Sequence, residues 1–571
     1  MRGVVTTVSL VVSCALAGSV RAGDLNPPAG PVAPSMKTLE AIEPRVCVQE
    51  LPGAPNATHV ISEDGAYYLV GDIAGEAGKH GILITADRVS LHLGPFSIEG
   101  VPGSLDGVHM APGSGLSVVS IRGDGSAATR IGGFGGDGVR IDGALSVSVE
   151  GVTLSQNGGD GMDAAFFIPS GGRYESYIAM HEVATVANGG HGAIVASVGI
   201  EAKVFGAGMR TCANGGDGLH LDGVGEAHLR EIEAIDNTGD GVQATVLREA
   251  NEGFFDISDS SSLFNGGHGV LAAAGTAGDG TETFNKYFSR GVTACGNGLD
   301  GFRSEGMVAS EWIDCESAQN GGVGYFRMHG PGDAHFGAIT FSESAGVGNA
   351  QGGAVVQLGG SGHQQVRVRD SNFARNGNAE SGGHGMLIEP APGVVAAPGA
   401  SLIIEVDRSL YPDAWDDGLR IRAANAMSST VSIRDTRASG NGGSGVDVGP
   451  ADPGVPAQLA VKFDDVFCSA NGLDGMVIEG ASGGAISKCL ATNNGARGIA
   501  LGSEGTPSFG VRIDECFATA NAVGIEVSGE HMLLRSAGSH NALANLSVGP
   551  TVFAGPSVTT SATETKPYAW P

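Results

Sequence analysis

The sequence predicts an all-β chain wound as a parallel β-helix, a solenoid of roughly 17–18 coils. Three observations carry that reading. Asn-Gly-Gly-Asp-Gly-Met begins at Asn157, and related corners begin at Asn188, Asn214, Asn237, Asn265, Asn297, Asn320, Asn441 and Asn471, with weaker copies at Asn494 and Asn521. Consecutive copies lie 23 to 32 residues apart. Alternating apolar triplets such as Val147-Ser-Val149, Val366-Arg-Val368, Val431-Ser-Ile433 and Val461-Lys-Phe463 stand ten residues ahead of an asparagine. No stretch of the repeat region sustains a helical period.

Each unit reads in order as a short alternating strand, a turn, an Asn, glycines, and a second alternating pair such as Leu219-His-Leu221 or Met476-Val-Ile478. Period-two alternation bounded by glycine turns is the strand signal. One coil cannot bury its own apolar residues, but coils stacked at about 4.8 Å align Val, Ile and Leu in inward ladders. The glycines are expected to supply positive φ at the corners. The asparagines are expected to stack, each amide bonding the next coil's. Leucine-rich and helical solenoids are excluded by the absence of their leucine patterns and helix-forming stretches.

Composition agrees. Of 571 residues 96 are Gly, 41% are hydrophobic and only 5% aromatic, so the core is large and built from aliphatic side chains. Collagen would need Gly at every third position and more than 24 prolines. With 32 basic and 61 acidic residues the formal charge is −29, which disfavours nucleic acid as a partner. It also disfavours acidic polysaccharides unless a cation bridges them.

The N-terminus, MRGVVTTVSLVVSCALAGSVRA, reads as a signal peptide cleaved after Ala22. Its apolar run is too short to span a membrane, and no later stretch supplies a transmembrane segment. The expected organisation is a leader at 1–22, a linker at 23–57, a β-helix with an N-terminal cap at 58–553 and a tail at 554–571. The chain is expected to be secreted, whether extracellular, periplasmic or at the cell surface. Seven cysteines remain after cleavage and none forms a C-x-x-C. Cys315, Cys489 and Cys516 lie five residues before an Asn, where other coils carry Val152 or Val466, so they are expected to point inward.

The corner pattern NGGDG followed by an alternating pair resembles right-handed parallel β-helix proteins of the pectate-lyase-like superfamily. GPVAPSMKTLEAIEPR (30–45), SEDGAYYLVGDIAG and ADRVSLHLGPFSIEG further resemble a group of secreted bacterial β-helix-repeat proteins of unassigned function, which end in a short tail like KPYAWP here. The resemblance covers nearly the whole chain. It implies the right-handed fold and leaves function open, since the superfamily holds lyases, hydrolases, epimerases and non-catalytic adhesins.

Aligned on Asn, the residue three beyond it is Asp160, His191, Asp217, Asp240, His268, Asp300, Val323, Ser444, Asp474 and Arg497. A slot so tolerant is expected to face solvent. Gly-His384-Gly resembles a polygalacturonase-like motif, yet it recurs at His191 and His268, and the Arg-Ile-Lys of that pattern is missing; Arg420-Ile-Arg422 is the nearest. His384 therefore reads as a repeat position. Asp217 and Asp240 occupy consecutive coils and could hold Ca²⁺ between carboxylates; a turn chosen for backbone geometry accounts for them equally well.

Departures from the repeat are better candidates. Residues 389–425 stretch the spacing and contain SLYPDAWDDGLRIRA. Asp413, Asp416 and Asp417 are candidate catalytic carboxylates; Tyr411, Trp415, Arg420 and Arg422 are candidate substrate-binding residues, an aromatic platform beside paired acids being suited to sugars. Aromatic-richer loops at Phe166, Phe167, Tyr174 and Tyr177, at Phe284, Tyr287 and Phe288, and at Tyr325, Phe326, His329, His335 and Phe336 could wall a groove. Two functions remain: a β-helix acting on or binding a polysaccharide or cell-surface glycan, and a non-catalytic structural or adhesion rod. Whether the chain is an enzyme is left open.

Overall fold

The computed structural model describes residues 45–560 except 112–116, 168–174, 199–200, 248–252, 276–284, 329–336, 398, 426, 453–457, 504 and 556–557. The expected leader, most of the expected linker and the last residues of the expected tail lie outside the described residues. Among the described residues no helix is long and apolar enough to cross a membrane.

The chain is a parallel β-solenoid of three sheets, one of them 20-stranded. A representative coil runs through a first strand Leu419–Ala423, a second Ser428–Arg434 and a third Arg437–Ser439. Each pairs in parallel with its counterpart one coil on, Leu419 with Val446, Val431 with Val461 and Ala438 with Cys468. Regular strands reach slightly past the expected bounds, from Arg45–Cys47 to Val558–Thr560.

The alternation read from sequence places one residue set inside. Along the first sheet Leu219, Val242, Val270, Phe302 and Tyr325 stack in consecutive coils, all buried. Where the column carries rings they lie flat on one another, as Phe302 and Tyr325 do at 5.0 Å between centroids. Trp312 and Phe341 stack likewise at 4.8 Å. Such columns need the same register in every coil, because a shift of one residue would turn the apolar set outward. Cys315, Cys468, Cys489 and Cys516 are buried among these residues as free thiols.

The glycines play two parts. Left-handed φ falls on glycine and on other residues alike: between the second and third strands on Gly151 (φ 63°), Gly208 (φ 63°), Asp435 (φ 49°) and Asp465 (φ 55°), and just before the Asn on Gly296 (φ 69°), Gly440 (φ 71°), Ala187 (φ 55°) and Ala470 (φ 55°). Gly215, Gly216 and Gly218 are outside that region and are glycine because the coils touch there. A Cβ on Gly218 would stand 2.5 Å from the Gly241 carbonyl, and one on Gly216 would stand 2.8 Å from His191 Nδ1. Side chains are excluded by contact, not by backbone conformation.

The asparagines form the expected ladder. Asn157 Nδ2 donates to Asn188 Oδ1 at 3.0 Å, Asn188 to Asn214 at 3.0 Å, Asn214 to Asn237 at 2.9 Å, and the chain of bonds continues to Asn376. The same Oδ1 accepts the previous asparagine's backbone N–H, as Asn237 Oδ1 does from Asn214 at 3.2 Å. A second stretch runs from Asn441 to Asn545. Between Asn376 and Asn441 the position belongs to Ala414, whose backbone N–H donates to Asn441 Oδ1 at 2.9 Å.

Asn237→Ala strips the acceptor from both the backbone and side-chain amides of Asn214. It is expected to cost about 2–4 kcal/mol, read as the urea unfolding midpoint. A loss under about 1 kcal/mol contradicts the role given to Oδ1.

Candidate functional site

A second ladder runs through the residue three beyond Asn, and it corrects the expectation that this slot faces solvent. Asp106, Asp137, Asp217, Asp240, Asp300, Asp417 and Asp474 are all buried. Each carboxylate accepts the backbone N–H of the same slot one coil on: Asp137 N to Asp106 Oδ1 at 2.9 Å, Asp160 N to Asp137 Oδ1 at 2.8 Å, Asp240 N to Asp217 Oδ1 at 2.7 Å. Where the slot is His, Nδ1 takes the same bond, from Asp217 N to His191 at 2.9 Å and from Asp300 N to His268 at 3.1 Å. The slot tolerates Asp and His because both offer a short acceptor at the same reach. A ring accepting through Nδ1 is neutral with its proton on Nε2.

His384 belongs to this ladder, and its follower is Asp417. Asp417 N donates to His384 Nδ1 at 3.2 Å, and Ser444 N to Asp417 Oδ1 at 2.7 Å. The Gly-His-Gly and Trp-Asp-Asp segments, separate in the sequence reading, are therefore adjacent coils of one cluster. His384 Nε2 lies 3.6 Å from Asp416 Oδ2, and His384 Nδ1 lies 3.6 Å from Asp417 Oδ2. Arg420 Nη1 stands 3.4 Å from Asp417 Oδ2 and Arg420 Nε 3.9 Å from Asp447 Oδ2. Both terminal nitrogens of Arg422 bind the Asp447 carboxylate.

The cluster sits where the regular corner fails. Residues 378–382 are inserted between Gly377 and Gly383, closed by paired backbone bonds of 2.9 Å between Asn378 and Gly382. Gly377 turns left-handed at φ 85°. In the next coil Trp415 N still donates to Asn376 O at 2.9 Å and Asp416 N to Gly383 O at 3.0 Å, the bonds that two glycines make elsewhere. Trp415 and Asp416 thus occupy positions that glycines hold in most other corners, and Trp415 is 54% exposed.

Burial sets the charges. It pushes the Asp417 carboxyl up to about 6 and the His384 imidazole down to about 4. At neutral pH the His384 imidazole is therefore neutral, among the carboxyl groups of Asp416, Asp417 and Asp447 and the guanidinium groups of Arg420 and Arg422.

Other candidates go elsewhere. Tyr411 is a core residue, fully buried, its ring 5.8 Å from Phe373 and its hydroxyl on Met386 Sδ at 3.8 Å, so it offers no face to a ligand. Asp413 is the left-handed turn residue (φ 57°) before Ala414, exposed at the third-sheet end of the corner. Arg422 is held by Asp447 and stiffens the site. Asp217 and Asp240 do lie in consecutive coils, but Asp217 Oδ1 is taken by Asp240's own amide and Asp240 Oδ1 by His268 N at 2.6 Å. The remaining Asp217 oxygen faces His220 Nδ1 at 2.7 Å.

Of the aromatic loops, Phe166, Tyr287 and Tyr325 are buried in the core. Tyr177 is exposed on the second sheet with Lys203 over its ring, and Phe326 lies under the Arg303 guanidinium. Tyr174, Phe284, His329, His335, Phe336 and the Phe167 side chain lie outside what is described. Sequence reasoning missed the early ladder members His80, Asp106 and Asp137, and with them His109, because those corners lack Asn. The Asp-Gly-Val of SLDGVHM and GGDGVRI was the available signal.

The two shifts in the cluster oppose each other. The His384 pKa is lowered by folding, so its contribution is lost as pH falls from about 6.5 to 4; the Asp417 pKa is raised, so its contribution is lost as pH rises through about 6. His384→Asn keeps an acceptor for Asp417 N and removes only the first. Relative to the native chain this variant is expected to gain roughly 2 kcal/mol between pH 7 and pH 4, by urea midpoints at each pH. A difference that does not change with pH contradicts a buried neutral imidazole.

No family model and no curated protein matches the chain. Among solved structures the A-module of mannuronan C-5 epimerase AlgE6 from Azotobacter vinelandii is similar, at 12% identity and a TM-score of 0.27, over 73% of this chain and 91% of that one.

Proposed function

We propose that the corner built by Trp415, Asp416, His384 and Arg420 binds glycan chains, and that the protein is a polysaccharide-binding β-helix. The observation that carries this is the replacement of two corner glycines by an exposed indole and a half-exposed carboxylate, beside a guanidinium and an imidazole N–H. An aromatic face takes the apolar side of a sugar ring, and alternating donors and acceptors take its hydroxyls.

The local charge selects the ligand. Three carboxylates against two guanidiniums leave about one net negative charge, in a chain whose formal charge is −29. Neutral hexose polymers suit such a site and polyuronates do not. Binding is favoured over bond cleavage because the ladder occupies the groups a catalyst would need. His384 Nδ1 and Asp417 Oδ1 each hold a backbone N–H.

The purified chain should be incubated with neutral and uronate polysaccharides, reading retention and newly formed chain ends. Retention on a neutral polymer without new ends is expected, with a loss of at least about tenfold in Trp415→Ala. Equal retention of that variant, a preference for polyuronates, or new chain ends would each overturn the reading.

A further inference from the structure

Four times a ladder histidine is followed one coil on by a ladder aspartate, and each time the residue three beyond that aspartate is basic. The sets are His80, Asp106, His109; His191, Asp217, His220; His268, Asp300, Arg303; and His384, Asp417, Arg420. In the last two sets an arginine Nη1 stands 3.1 and 3.4 Å from the aspartate Oδ2. A fixed positive charge on that oxygen excludes a cation. In the first two sets the arginine is replaced by a second imidazole, which leaves one carboxylate and two rings together with no guanidinium on that carboxylate; Arg140, beside the first set, is paired with Asp142.

The distances suit one. His109 Nδ1 is 3.3 Å from Asp106 Oδ2 and 3.3 Å from His80 Nε2. His220 Nδ1 is 2.7 Å and His191 Nδ1 3.4 Å from Asp217 Oδ2. In each set one ligand atom from every residue lies within 4.8 Å of the other two. A tetrahedral ion with bonds of about 2.0–2.1 Å holds its ligand atoms about 3.3 Å apart. Second contacts are in place as well: His109 Nε2 meets Asp142 Oδ2 at 3.0 Å, a carboxylate behind an imidazole of the kind that orients metal-binding rings.

We propose that His80–Asp106–His109 and His191–Asp217–His220 are binding sites for a divalent transition metal of the zinc class, each with two imidazoles and one carboxylate, water completing the shell. Two nitrogen donors disfavour calcium, which takes six to eight oxygens. The ladder gives up one bond in each set, from Asp106 N to His80 Nδ1 at 3.2 Å and from Asp217 N to His191 Nδ1 at 2.9 Å. In the first set His80 binds through Nε2 and carries its proton on Nδ1, with Asp106 Oδ2 3.2 Å away to accept it; in the second set His191 binds through Nδ1 itself.

The test titrates Zn²⁺ into tag-free, chelator-stripped protein by calorimetry, with Ca²⁺ as comparator. Two equivalents of Zn²⁺ and no Ca²⁺ uptake are expected. His109→Arg and His220→Arg install the residue that the ladder itself carries at 303 and 420. Each is expected to keep the native melting curve of the stripped protein and to lose one equivalent. Arg303→His is expected to gain one. No Zn²⁺ uptake by the native chain, undiminished uptake by the double arginine variant, or equal uptake of Ca²⁺ would each overturn the proposal.

Discussion

Everything in this molecule follows from the backbone N–H groups at one corner of each coil, which lie too deep for water and must find an acceptor in a neighbouring coil. Two side-chain ladders supply it, and they run in opposite directions. The Asn carboxamide accepts from the preceding coil, as Asn188 does from Asn157 N at 3.1 Å. The residue three beyond it accepts from the following coil, as Asp160 does from His191 N at 2.5 Å. Each corner is therefore tied to both neighbours, and an unmet amide there costs more than a bond gained elsewhere returns.

The same constraint explains the composition. Coils joined this closely favour glycine between the ladder positions through contact with a neighbouring coil, although Thr238, Leu299, Gln351 and Leu473 stand in some of them. Asp and His share the second ladder because either presents an acceptor at the right reach; at Val323 and Arg497, which present none, it stops. Function enters where the requirement relaxes. The insertion at residues 378–382 distorts one corner, Ala414 interrupts the Asn ladder in the next, and the two positions after it hold Trp415 and Asp416. The solenoid elsewhere supplies rigidity, and this interruption supplies an exposed aromatic surface.

Much of this was legible in the sequence. The three-strand coil, the inward ladders and the Asn stack follow from periodicity, because a repeated side chain at fixed spacing has one way to satisfy itself when coils stack. The segment holding Trp415, Asp416 and Arg420 stood out by breaking the period. What was not legible is what depends on the distance between coils. Tyr411 looked like part of a sugar platform because it is four residues from Trp415, yet alternation in the third strand turns it into the core. His384 looked dispensable because Gly-His-Gly recurs; its neighbours are set by the next coil, 33 residues on at Asp417. Asp217 looked solvent-facing because its slot is variable, and the exchange of Asp with His there reflects interchangeable acceptors.

The account holds that the site exists because the ladder is broken, so repairing the ladder is its most direct test. A chain carrying Ala414→Asn and Trp415→Gly together restores the corner found in the other coils. Its thermal midpoint and its retention on a neutral polysaccharide should be measured beside the native chain. The account predicts a higher midpoint and loss of retention. A lower midpoint, or retention that survives the repair, would contradict it.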